Sequence, residues 1–344
     1  MTPLAAAVRA GARLMETSCG EVEPERWSRL ENGIEALVVY AALQAALWSG
    51  IASPAPLSPI AWPRALGLAA VGVVALYVVL AAWRVHGDTW NGLGLNSPLG
   101  FAGFWARSGT WSRLGSAALV LAIPLLVAAV GWDSLLIRLG VRLTWPGAYS
   151  RLTEPPWRQA GSLITALAFG ALLASVLIRW SNLGSATRQL ALPVGLLLAG
   201  IVTAALVSAV VTGDWTRFHA FAWTGRRDTA FLPRLAAYLP WGLLQQWLFL
   251  SYLNTRIRKA VPMAGWLGVP GRAIAAGLTG LAFGVIHWPN APLAALTCIA
   301  GCVSGWLFQR DCSRNLFLFS LAHAVAGALL TALTPIRMTV GPQL

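Results

Sequence analysis

Charge is what this chain has least of. Only 11% of its 344 residues are Asp, Glu, Lys or Arg, whereas soluble domains carry about a quarter, so a water-soluble fold is excluded. Lysine occurs once, at Lys259, and positive charge is otherwise carried by arginine. Acids are scarcer than bases, 12 against 25, which leaves a net charge of +13. The arginines stand singly rather than massed into a basic patch, which argues against a nucleic-acid partner. Cysteine is limited to Cys19, Cys298, Cys302 and Cys312. The last three lie in or beside apolar runs, where cysteine acts as a small apolar filler. Cys298 and Cys302 share a helix face, but the further ligands a metal would need are missing, so neither metal nor cofactor is expected. The short apolar segment of a signal peptide does not precede Cys19, so neither a cleaved leader nor a lipoprotein site is expected. Strict apolar–polar alternation is also lacking, which excludes a transmembrane β-barrel.

What remains is apolar. Hydrophobic residues make up 57% of the chain and its mean hydropathy is +0.65. Its apolar runs approach the length of about 20 residues that crosses a bilayer as a helix. The expected fold is all-α, a polytopic transmembrane helix bundle of about eight or nine spans. Candidate spans cover 34–52, 65–83, 116–132, 160–179, 190–212, 235–257, 272–288, 292–308 and 315–333. Residues 1–33 form a polar N-terminal segment, with Arg9 and Arg13 on an Ala-rich stretch that fits an interfacial helix. The connections 84–115, 133–159 and 213–234 are rich in Trp, Arg, Gly and Pro and suit the headgroup layer. Residues 34–234 are read as N-terminal spans and loops, 235–333 as a distinct core and 334–344 as a tail. The lipid bilayer is the first expected partner, and the location is an integral membrane protein of the bacterial cytoplasmic membrane.

Several polar side chains sit where a lipid-embedded helix is otherwise expected. An unpaired polar group in such a place costs several kcal/mol, so its presence is a functional hypothesis. Gln245 and Gln246 fall in the sixth candidate span, His287 at the end of the seventh and His323 inside the last. Adjacent helical positions point about 100° apart, so one glutamine faces the histidines while the other meets a different helix. Gln245, Tyr252 and Arg256 follow one another along a single stripe in steps of seven and four. Phe283 precedes His287 by one turn, and Gly327 follows His323 by one turn, leaving room beside the imidazole. Ala276, Gly280 and Gly284, then Gly301 and Gly305, recur every fourth residue, the spacing that lets helix backbones approach closely in lipid. His86 and His219 fall in expected loops and carry no reading.

Three of these stretches, in this order, resemble the CPBP family, the CAAX protease and bacteriocin-processing group also called Abi or type II CAAX prenyl endopeptidase-like. Gln245-Gln-Trp-Leu-Phe-Leu-Ser-Tyr-Leu-Asn-Thr-Arg256 looks like its first motif, Phe283 followed by His287 like its second, and Gly305 to Arg310 with His323 like its third. The resemblance covers about residues 235–333. It implies glutamic-type intramembrane proteolysis, in which a glutamate and a histidine activate water while a later His and Asn stabilise the oxyanion. Carried over by position, Gln245 stands for the base, Gln246 for its neighbour, His287 for the water partner and His323 for the oxyanion side. Phe283, Gly327 and Arg256 would form or support the substrate groove.

The departures from that family are chemical. Its motif glutamates are Gln245 and Gln246 here, its motif arginine is Leu250, and its asparagine is Gly327. A primary amide offers no proton-accepting site usable at neutral pH. After Glu154 the acids are Asp214, Asp228 and Asp311, all in expected loops. The resulting expectation is a catalytically degenerate family member, a pseudoprotease, that binds a hydrophobic or membrane-anchored polypeptide. The alternative is an active intramembrane peptidase, CAAX-like or processing C-terminal sorting signals, that uses His287 with a variant base. Transport is disfavoured, because no internal repeat is visible and the spans are expected to lack acidic residues.

Overall fold

The computed structural model describes residues 28–48, 62–81, 85–118, 120, 175–216, 218, 231–262 and 268–334. Most of the expected spans 116–132 and 160–179, most of the N-terminal segment, His219 and the tail after Thr334 lie outside them. Among the described residues every regular element is a helix. Three are long and apolar enough to cross a membrane, Trp180–Thr212, Ala291–Phe308 and Leu316–Leu333, with Ala69–Leu80 and Gly271–Val285 shorter but apolar. Of the eight or nine expected spans, these three meet that length and composition among the described residues.

Helix α1 (Arg29–Ala46) begins where Ser28 caps it. The Ser28 hydroxyl accepts from Glu31 N at 3.3 Å, and Glu31 Oε2 accepts from Ser28 N at 2.7 Å, which satisfies two otherwise orphaned donors. Helix α2 (Trp62–Leu80) packs on it, and α3 (Pro98–Arg107) lies within the expected headgroup connection. A 3-10 turn at Trp180–Asn182 leads into α4 (Leu183–Thr212), which ends at Gly213 in the left-handed conformation, φ 69°. Next comes a continuous rod: α5 (Phe231–Gln246), a π-helical stretch Trp247–Asn254 and α6 (Thr255–Ala260). Helices α7 (Gly271–Val285), α8 (Ala291–Phe308) and α9 (Leu316–Leu333) complete the bundle.

The glycine spacing does what four-residue periodicity predicts. A Cβ on Gly280 would lie 2.3 Å from Cys302 Sγ and 2.5 Å from the Cys298 carbonyl, and one on Gly284 would lie 2.8 Å from the Ala294 carbonyl. Helices α7 and α8 therefore touch backbone to backbone. Cys298 and Cys302, both free, fill the facing surface as expected. Cys312 differs from the filler reading, because it is disulfide-bonded.

The pairing of α5 with α9 follows the same logic. A Cβ on Gly242 would meet the Ser320 carbonyl at 3.0 Å and His323 Cδ2 at 3.2 Å, so the missing side chain lets α5 lie directly against the face that carries His323. The start of α9 is fixed by the loop before it. Leu316 N donates to the Gly94 carbonyl at 2.9 Å. Gly94 has φ 75°, and a Cβ there would strike the Phe308 ring at 2.9 Å, so no other residue fits that turn. Arg179 grips Asp311 through two nitrogens, at 2.8 and 3.2 Å, and Asn182 and Asn315 close the same knot.

Candidate polar site between the late helices

Three of the expected residues come together around Phe283. Its ring centroid lies 6.0 Å from that of His287 at 88°, and 5.7 Å from that of His323 at 63°. Both imidazoles thus meet its ring edge-to-face. Phe249 closes a further side of Phe283 at 4.6 Å. Both glutamines are buried, but Gln246 is the one that reaches a histidine, its Nε2 standing 3.2 Å from His323 Nδ1. If the amide donates, His323 carries its proton on Nε2. That Nε2 is buried with no hydrogen-bond partner among the described residues, and so is Gln245 Oε1. The position-by-position reading gave Gln245 the leading role, whereas the polar contact belongs to its neighbour.

Gln246, His323, Phe283 and Gly327 line a cavity of about 410 Å³ bounded by α4, the π stretch, α7, α8 and α9. Its remaining wall is apolar, Phe249 and Phe319 included, apart from Thr279, Thr297 and Ser304. Gln245 and His287 are not among its lining residues. The five helices therefore supply one apolar chamber with a small polar end, which suits a hydrocarbon chain joined to a hydrogen-bonding group.

Arg256 sits elsewhere. It is 1% exposed, donates to Asn32 Oδ1 at 3.2 Å and pairs with Asp88, so it supports the fold rather than lining the chamber. The stripe through Gln245, Tyr252 and Arg256 assumes α spacing, and the π turns between 247 and 254 break that assumption. Tyr252 and Arg256 do share a face, which they present to α1. Tyr252 donates to Glu35 Oε1 at 2.5 Å.

Glu35 is the residue that sequence reasoning passed over. It lies at the start of the first candidate span and is 8% exposed, so the expectation that the spans lack acidic residues fails there. Tyr77 also donates to it at 2.7 Å, and His86 Nε2 lies 2.9 Å from the carboxylate. His86, read as an uninformative loop residue, is buried at the helix pair it joins. The signal was present in the sequence, a lone acid in the run from Ile34 to Leu47.

The loop acids do not approach the histidines. Asp311 pairs with Arg179, and Asp214 accepts from Thr216 N and Oγ1 in an exposed turn. Asp228 lies outside the described residues. Among the described residues no group of three or more His, Cys, Asp or Glu could hold a metal.

The helices that carry Gln246, Phe283, His287 and His323 coincide with a known domain. Residues 227–329 match the family model of Rce1-like type II CAAX prenyl endopeptidases. That match supports membership of the CAAX protease family. No curated protein and no solved structure matches the chain. The Rce1-like domain starts just before α5 and ends within α9, so α1, α2 and α4 pack on it from outside the matched residues. Together with its apolar helices, it marks an integral membrane protein.

Proposed function

We propose that the Rce1-like domain holds a hydrophobic or membrane-anchored polypeptide and does not cleave it efficiently. The observation that carries this reading is the pair of amides at 245 and 246, the second engaged with His323 Nδ1 at 3.2 Å. Water activation needs a group that takes up a proton near neutral pH, and an amide does not. Loss of a general base costs roughly 10² to 10⁴ in rate. The lining of the chamber contains no carboxylate among the described residues. Glu35 accepts hydrogen bonds from two tyrosines and lies beside His86, while Asp311 is held by Arg179. The apolar chamber provides for the anchor, and the polar end at Gln246 and His323 provides for a peptide group next to it. A bacterial cytoplasmic membrane is the setting we infer.

The test uses the full chain in lipid nanodiscs with a farnesylated peptide ending in a CAAX sequence. Binding without cleavage, together with cleavage once Gln245→Glu and Gln246→Glu are introduced, supports the reading. Cleavage by the unmodified chain, lost in His287→Ala, overturns it in favour of a peptidase with a variant base. Failure to bind the peptide overturns it as well.

A further inference from the structure

A second polar cluster ties α1 and α2, which lie outside the Rce1-like residues, to the rod inside them. Glu35 takes hydrogen bonds from Tyr252 and Tyr77, at 2.5 and 2.7 Å, and stands 2.9 Å from His86 Nε2. One turn further along the rod, Arg256 donates to Asn32 Oδ1 at 3.2 Å and pairs with Asp88, which Lys259 Nζ also reaches at 3.3 Å. The first helix and the 85–88 segment thus grip the far end of the same rod that carries Gln246.

The π-helical stretch Trp247–Asn254 begins directly after Gln246 and carries Tyr252 near its far end, with Arg256 just beyond it. A π turn accommodates one residue more than an α turn, and such turns are rare, occurring mostly as single-turn bulges in α-helices and frequently at functional sites. Relaxation to α geometry would rotate one side of the rod against the other by about 100°, the angle of a single residue. The distal side is pinned through Tyr252 and Arg256. Ser251 adds a bond from its Oγ to the Leu93 carbonyl at 2.7 Å. The rotation would therefore fall on Gln246 and take its amide away from His323.

We propose that Glu35 is a positioning residue: through Tyr252 it holds the π-helical register that aims Gln246 at His323. The first helix is then a working part of the site, although it lies outside the matched domain. This rests on the reading of the chamber as a binding site only for its consequence, since the Gln246–His323 contact can be read with no ligand present.

The chain has 4 histidines, so imidazole ¹⁵N spectra of the full protein in nanodiscs resolve and assign each by single His→Ala variants. Tyr252→Phe keeps the ring and removes the hydroxyl, Tyr77→Phe does the same on α2, and Glu35→Gln keeps the volume. We expect His86 to shift in all three. His323 Nδ1 should move toward the value of a nitrogen without a hydrogen-bond partner in Tyr252→Phe and Glu35→Gln, and stay unchanged in Tyr77→Phe. An unmoved His323 in the first two variants overturns the proposal. Equal movement of His323 in Tyr77→Phe overturns it too, because general loosening would then account for the effect. Absence of farnesyl-peptide binding by the unmodified chain, with the His323 shifts as expected, would overturn the chamber reading and leave this latch standing.

Discussion

Gln246, not Gln245, touches His323, and the contact joins two helices that a glycine at 242 allows to lie backbone against side chain. The amide is buried, and so is the imidazole nitrogen it meets. Replacing it by an apolar residue of similar size leaves that nitrogen without its partner in a site where water is scarce. Gln246→Leu is expected to destabilise the fold by about 1–3 kcal/mol, the usual cost of a buried group left unsatisfied. Gln246→Glu offers an acceptor where an amide stood and should not restore the loss at neutral pH. Denaturation in mixed micelles measures both, and a neutral Gln246→Leu would mean that the contact carries no stability.

The interface of α7 with α8 allows a test within one helix. Gly280 and Gly277 are both in α7, but a Cβ at 280 would lie 2.3 Å from Cys302 Sγ, whereas at 277 it would meet nothing within 4 Å. Gly277→Ala should therefore be neutral or stabilising by up to about 1 kcal/mol, through helix propensity. Gly280→Ala should destabilise by about 1–3 kcal/mol through overpacking. Equal effects in a thermal melt would contradict the close approach.

These two results mark what the sequence makes legible. Four-residue glycine spacing is a local pattern with a single physical meaning in lipid, and Ala276, Gly280 and Gly284 with Gly301 and Gly305 state it in full. The chemical motifs are equally local, so the regions at Gln245, His287 and His323 can be read and ordered before any coordinates. Which glutamine faces the histidine is not local. It depends on the rotation of the helix, and the π stretch from 247 to 254 changes that rotation without a sequence mark. Glu35 and His86 escaped for another reason. They are 51 residues apart in sequence, and only the fold brings the loop histidine onto the helix acid. A lone intramembrane acid should itself have raised a functional question.

The knot before α9 sets the height of His323 in the bundle. Asp311 holds both Arg179 nitrogens, while its side chain remains 47% exposed. Asp311→Ala should destabilise by about 1–3 kcal/mol, with solvent screening of the exposed carboxylate keeping the effect toward the low end. Part of the loss should vanish at high salt in the parent chain, because only the ionic share is screened. A variant as stable as the parent at every salt concentration would mean that the carbonyl bonds of Arg179 and Asn182 suffice.

The last prediction concerns the chamber. Ala300 lines it from α8, the helix that also contributes Leu296, Ile299 and Val303 to the wall. A large ring there removes volume from a cavity of about 410 Å³ while leaving both polar groups in place. Ala300→Phe should therefore weaken binding of the farnesylated peptide at least tenfold, since each displaced methylene of an apolar anchor forfeits about 0.8 kcal/mol of burial. It should leave binding of the same peptide without its lipid unchanged. Titration of both peptides into nanodiscs separates the two cases. If the substitution weakens both alike, the chamber is not where the anchor goes, and the polar end must act on the chain from another side.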